Sequence, residues 1–130
     1  MKLNTTSQYA IRIMEFIAKD TQKLHNAKTI SEQLSIPYKY LTKIMTQLID
    51  AKLLLSIRGR EGGYSMIKEA KEIRIMNILE AVNEFIDTKN CLLGNGLCNE
   101  NEKCSMHDMW EKPKNEILHM FGDTTLQDII

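Results

Sequence analysis

The segment CLLGNGLCNENEKCSMHDMW, residues 91–110, holds all three cysteines of this 130-residue chain. Cys91, Cys98 and Cys104 are followed by His107 in the spacing Cys-x6-Cys-x5-Cys-x2-His. Soft thiolates select iron–sulfur clusters, zinc or copper(I), and mixed Cys/His ligation of a 2Fe–2S centre has precedent. Zinc sites usually bring ligands in close pairs such as Cys-x2-Cys. The close pair here is Cys104 with His107, which on a helix would share one face with Cβ atoms about 5–6 Å apart. A helix beginning near Cys104 would favour its thiolate, because unpaired N–H groups stabilise negative charge. Cys91 and Cys98 lie in a polar stretch with Gly94 and Gly96 that can wrap an inorganic centre. Three small buried hydrophobes would not be expected in such a stretch. A zinc site or a thiol redox switch on the same residues is the alternative. His25 and His119 have no cysteine company and read as structural or solvent-facing.

The rest of the chain must position this cluster and give it something to control. The length is that of one compact domain, and 43% hydrophobic with 26% charged residues describes an ordinary globular protein. No apolar run reaches the roughly 18–20 residues that span a bilayer, and MKLNTTSQYA lacks an apolar signal core. The expectation is a cytoplasmic protein without a membrane partner, in a compartment where an odd set of cysteines stays reduced. The zero net charge hides a split. Residues 1–70 carry 11 Lys and Arg against 6 Asp and Glu, and residues 71–130 carry 6 against 11. The basic front half suits a polyanion such as nucleic acid.

Hydrophobic spacing supplies the elements. Ala10, Ile13, Met14 and Ile17 predict a helix over 5–19, capped by Thr5 or Thr6. After a polar loop at 20–28, Thr29 or Ser31 opens a short helix with Ile30 and Leu34 on its apolar face. SIP is a tight turn, and Pro37 suits the first turn of the next helix. Leu41, Ile44, Met45, Leu48 and Ile49 give that helix an apolar stripe to about Ala51. Short helix, turn and longer helix make a helix-turn-helix. The second helix leaves Tyr38, Lys39, Tyr40, Thr42, Lys43 and Gln47 for a DNA groove, with cations for phosphate and polar groups for base edges. LLLSIRGREGGYSMI then reads as a β-hairpin, with strands at 53–57 and 64–67 and a basic tip. Arg58 and Arg60 sit at that tip, and Gly59, Gly62 and Gly63 can take positive φ and let it approach another surface. Such a hairpin is the wing of a winged helix, placed for the minor groove or flanking phosphates. The GxxxxGK[ST] spacing of a nucleotide-binding loop is absent, and no nucleophile–base pairing points to an enzyme.

The back half reads as helical with an irregular insert. Ile75, Ile78, Leu79, Val82, Phe85 and Ile86 form a buried helical face, followed by a loop at 87–103. A helix resumes near Cys104, with Pro113 expected to kink it. Met106, Trp110, Ile117 and Met120, with Phe121 beside them, form a heptad-like seam suited to pairing with a second copy. DTTLQDII is a final turn capped by Asp123 or Thr124. The fold class is therefore mainly α with a small β-hairpin wing: a winged helix-turn-helix plus a long dimerisation helix. Residues 1–68 form the DNA-binding region, and 69–130 form the cluster-binding loop and dimerisation helices, in one compact domain overall.

TSQYAIR (6–12), ISEQLSIPYKYLTKIMTQLIDAKLLLSIRGREGGY (30–64), CSMHDMW (104–110) and TTLQDI (124–129) resemble the dimeric winged helix-turn-helix iron–sulfur regulators typified by IscR and NsrR. The resemblance covers nearly the whole chain. It implies a homodimer that binds a double-stranded promoter operator and holds one iron–sulfur cluster per subunit. Its three cysteine ligands match Cys91, Cys98 and Cys104, and the histidine ligand of the 2Fe–2S type matches His107. The nitric-oxide-sensing type uses an acidic residue where this chain has Gln8, so the resemblance favours 2Fe–2S over 4Fe–4S. The first cysteine gap is one residue longer than the usual five. Thr42 stands where the 2Fe–2S type often has an acidic residue, so operator sequence does not transfer.

Overall fold

The computed structural model describes residues 2–86 and 89–130, so the first two positions of the loop expected at 87–103 lie outside the described residues. Helix α1 (Thr5–Ala18) is capped by Asn4, whose side chain accepts from the Ser7 N–H at 2.8 Å; neither Thr5 nor Thr6 caps it. Helix α2 (Ala27–Leu34) begins earlier than expected. Asn26 caps it by accepting from the Thr29 N–H, which places Thr29 and Ser31 inside the helix. Helix α3 (Tyr38–Asp50) follows, with Pro37 as its N-cap. Strands β1 (Leu54–Ile57) and β2 (Gly63–Met66) pair antiparallel, with Leu54 opposite Met66 and Ile57 opposite Gly63. A single 3-10 turn (Ala70–Glu72) leads to α4 (Ile75–Ala81), α5 (His107–Asp123) and α6 (Leu126–Ile129).

Three helices end without glycine in a left-handed residue. Ser35, Lys52 and Asn83 have φ of 54°, 61° and 60°. At each, the next N–H reaches back to a carbonyl five residues earlier: Ile36 to Ser31, Leu53 to Leu48 and Glu84 to Leu79. This is the Schellman closure, which satisfies carbonyls that the helix leaves unpaired. At Asn83 it corrects the expected long helical face. α4 stops at Ala81, Val82 is buried, and Phe85 is 73% exposed rather than part of the core. The C-terminal cap is also reassigned. Thr124 ends α5, and Thr125 accepts from the Asp128 N–H while the Asp128 carboxylate accepts from the Thr125 N–H. That reciprocal box satisfies two N–H groups at once.

One hydrophobic cluster runs from Ala10 to Leu126. α1 lies at its centre and packs on α2, α3, α4, α6 and β2. Ile13, Met14, Ile30, Leu41, Ile44, Met45, Leu48, Leu54, Ile78 and Leu79 are almost wholly removed from water. The C-terminus is tied to the middle of the chain by Leu126 N–H to Ile73 O at 2.7 Å and Ile75 N–H to Thr124 O at 3.0 Å. Among the described residues, no helix is long and apolar enough to cross a membrane.

Candidate nucleic-acid interface and cysteine–histidine centre

The helix-turn-helix is α2, the Ser35 turn and α3. Ser31 holds the turn twice: its hydroxyl donates to Ile36 O at 2.5 Å and its carbonyl accepts from the Ile36 N–H at 3.0 Å. With Leu41, Ile44, Met45 and Leu48 buried, α3 turns Tyr38, Lys39, Tyr40 and Lys43 outward, with Thr42 and Gln47 half-buried. Tyr40 is partly committed elsewhere. Its hydroxyl pairs with the Thr6 hydroxyl and its ring packs edge-on against Tyr9 with centroids 5.5 Å apart. Thr42 and Thr46 donate to backbone carbonyls of their own helix at 3.0 Å.

The wing is closed and anchored by its glycines. Gly59 has φ 115°, a left-handed value that suits glycine. A Cβ on Gly62 would stand 2.0 Å from Ile57 O, and one on Gly63 would stand 2.9 Å from His25 O. Gly62 and Gly63, expected among the DNA contacts, thus have a demonstrable role inside the chain. His25 is buried, its Nε2 lies 2.6 Å from Asp20 O, and its ring packs edge-on against Phe16, so it is a structural residue. Asn26, Lys28, Tyr38, Arg58 and Arg60 all line one open polar cleft between α2 and the wing. Lys28, Lys39, Lys43, Arg58 and Arg60 are exposed and make no ion pair among the described residues. Lys28 was not legible as a site residue because only the folded hairpin brings it beside the two arginines.

The cysteine segment is a short turn of its own. Asn90 bridges Leu97, Cys91 N–H donates to Gly96 O at 2.6 Å, and Cys98 N–H donates to Lys89 O at 2.8 Å. Gly94 and Gly96 take φ near +80° within it. The backbone N–H groups of Asn95 and Leu93 face the Cys91 sulfur and hold its thiol below the ordinary value, with smaller help from the Cys104 side chain and Gly94. Cys98 instead donates its thiol to Asn90 O at 3.4 Å and lines a cavity with Leu97, Lys114 and Leu118. All three thiols are free and half-buried.

α5 begins at His107 and not near Cys104, which lies in the preceding turn with its carbonyl accepting from the His107 N–H at 3.1 Å. The thiolate-favouring N–H groups accordingly belong to the loop around Cys91 rather than to a helix start at Cys104. His107 is 7% exposed, and its Nε2 is buried without a hydrogen-bond partner. Among the described residues, the group of Cys, His and acidic side chains with ligand atoms mutually within 4.8 Å is His107, Asp108 and Glu111. The three thiols do not gather that closely, so a one-ion zinc cage of the three cysteines is not preformed. The donor set still fits a larger thiolate centre: three free soft sulfurs, one favoured as thiolate, and an orphaned imidazole nitrogen.

The expected seam on α5 divides. Met106 and Met120 are exposed, Trp110 and Ile117 are half-buried, and Phe121 is 8% exposed within the chain's own core. α5 runs on through Pro113. His119 is exposed and pairs with Asp123 at 3.1 Å.

A helix-turn-helix with an adjoining basic wing defines a winged-helix DNA-binding transcription regulator. The chain belongs to the Rrf2 family, described as iron-dependent transcriptional regulators, whose model matches residues 3–130. It is 31% identical over 131 residues to the helix-turn-helix type transcriptional regulator IscR of Vibrio atlanticus, covering 100% of this chain and 75% of that one. Among solved structures it resembles CymR, the global cysteine regulator of B. subtilis, with TM-score 0.82, 24% identity and coverage of 99% and 95%. It also resembles T. potens IscR, with TM-score 0.77, 23% identity and coverage of 99% and 85%. The family and the Vibrio relative are described as transcriptional regulators.

Proposed function

We propose that this regulator grips an operator through α3 and the wing, as a homodimer, and that the state of Cys91, Cys98, Cys104 and His107 sets how tightly it does so. The observation that carries the reading is the pairing of a thiolate-favouring loop at Cys91 with the orphaned imidazole nitrogen of His107. These four side chains would hold an iron–sulfur centre, one per subunit, with 2Fe–2S favoured because His107 offers nitrogen where Gln8 offers no carboxylate. Such a centre supplies one-electron chemistry and sensitivity to oxidants and nitric oxide.

The chain provides a packed route between the two regions. The cysteine loop leads into α5, α5 packs on α4, and α4 packs on both α1 and α3. Ordering the loop and the start of α5 therefore bears on the helix that presents Lys39 and Lys43. Met106, Trp110 and Met120 supply apolar surface on α5 for a second copy, which would fix the distance between two recognition helices. Operator half-sites lie about one helical turn apart, so a small change in that distance alters affinity. A coupling of about 1–3 kcal/mol corresponds to roughly 5- to 150-fold in affinity.

Anaerobic purification with an absorption spectrum and iron and sulfide counts tests the cofactor. A brown protein with matched iron and sulfide supports it. A colourless protein with neither contradicts it and favours a second reading, a thiol switch, which rests on the three free, half-buried thiols and the lowered Cys91.

A further inference from the structure

The carboxylates beside His107 take no part in the reading above. His107 and Glu111 are one turn apart at the start of α5, and Asp108 lies between them in sequence. One ligand atom from each lies within 4.8 Å of the other two. A second and independent observation points to a ligand: the His107 side chain is more than nine-tenths buried, and its Nε2 has no hydrogen-bond partner. An unpaired nitrogen in that position costs free energy unless something binds it. Imidazole with two carboxylates is a mixed nitrogen and oxygen donor set. It suits manganese, ferrous iron or zinc, and does not suit copper(I).

We propose that His107, Asp108 and Glu111 form a site for a single first-row divalent cation at the start of α5, sharing its imidazole with the cysteine centre. The sharing rests on the functional reading above; the site itself does not. Lys103, whose Nζ lies 3.3 Å from the Asp108 carboxylate, occupies the place of a counter-charge that a bound cation would displace. Being exposed, that ion pair contributes little and is readily given up. Filling the cysteine centre draws His107 away from the carboxylates, so the two occupancies oppose each other.

Mn(II) is the probe, because carboxylate and imidazole hold it and thiolates take it poorly. Binding to the full chain is read from the loss of the free aquated Mn(II) signal in electron paramagnetic resonance. Asp108→Asn and Glu111→Gln each weaken Mn(II) binding at least tenfold, while iron and sulfide counts after cluster loading stay at wild-type levels. Circular dichroism checks that the variants are folded. Unchanged Mn(II) affinity in both folded variants, or no Mn(II) binding by the wild type, overturns the site. Protein with its cysteine centre loaded binds Mn(II) at least tenfold more weakly than unloaded protein; equal affinity overturns the sharing. If no iron or sulfide can be loaded at all, the cofactor reading fails while the Mn(II) comparison among the variants still decides the cation site.

Discussion

His25 and Tyr64 exchange two backbone hydrogen bonds, His25 N–H to Tyr64 O at 3.1 Å and Tyr64 N–H to His25 O at 2.8 Å. That bridge fastens the wing to the loop ahead of α2. It makes the hairpin and the helix-turn-helix one surface rather than two linked parts.

Gly63 sits where the bridge is tightest, and the His25 backbone leaves no room for a side chain. Gly63→Ala should cost about 1–3 kcal/mol, as overpacking does. Denaturant unfolding checks the magnitude. The same variant should lose DNA affinity by displacing the wing, whereas Gly59→Ala meets no atom within 4 Å and suffers only from its positive φ.

Arg58 and Arg60 are exposed, lie beside Lys28 and make no ion pair among the described residues. Each cation that meets a phosphate contributes about 0.9 to the slope of log affinity against log salt. The double variant Arg58→Ala/Arg60→Ala should flatten that slope by about 1.8 if both arginines make phosphate contacts. Titration of duplex binding between low and moderate salt measures it; an unchanged slope removes the wing from the interface.

Asn26 accepts from the Thr29 N–H and caps α2. Asn26→Ala should destabilise the fold by about 0.5–2 kcal/mol. Thr29→Ala should be milder, because Thr29 lies within the helix. Thermal unfolding of the two variants separates these roles.

The recognition unit was legible because its signals are local: the Leu41 to Leu48 stripe, Pro37 and the glycine-rich wing follow directly from period and turn chemistry. The back half was less legible. Asn83 ends α4 in a left-handed conformation that any short polar residue can adopt, so the apolar spacing of Phe85 and Ile86 read as helix beyond the true end. Asn26 was missed as a cap because Thr29 and Ser31 are equally good cap residues three and five positions later. The Cys91 environment comes from N–H groups of its own loop, and only the closed turn aims them.

Cys91 is held below the ordinary thiol range by those N–H groups. A lowered value leaves more thiolate at neutral pH, so alkylation of Cys91 should reach half its maximal rate at a lower pH than in the denatured chain. Mass-resolved alkylation across a pH series checks this. Cys104→Ala should move the midpoint upward only slightly, since the backbone N–H groups dominate.

The central claim is that the cysteine–histidine centre governs the hold on DNA. The direct measurement is operator binding at one fixed salt concentration by a single anaerobic preparation, before and after its iron and sulfide are removed. The account predicts affinities that differ by roughly 5- to 150-fold. Equal affinities for loaded and stripped protein would contradict it.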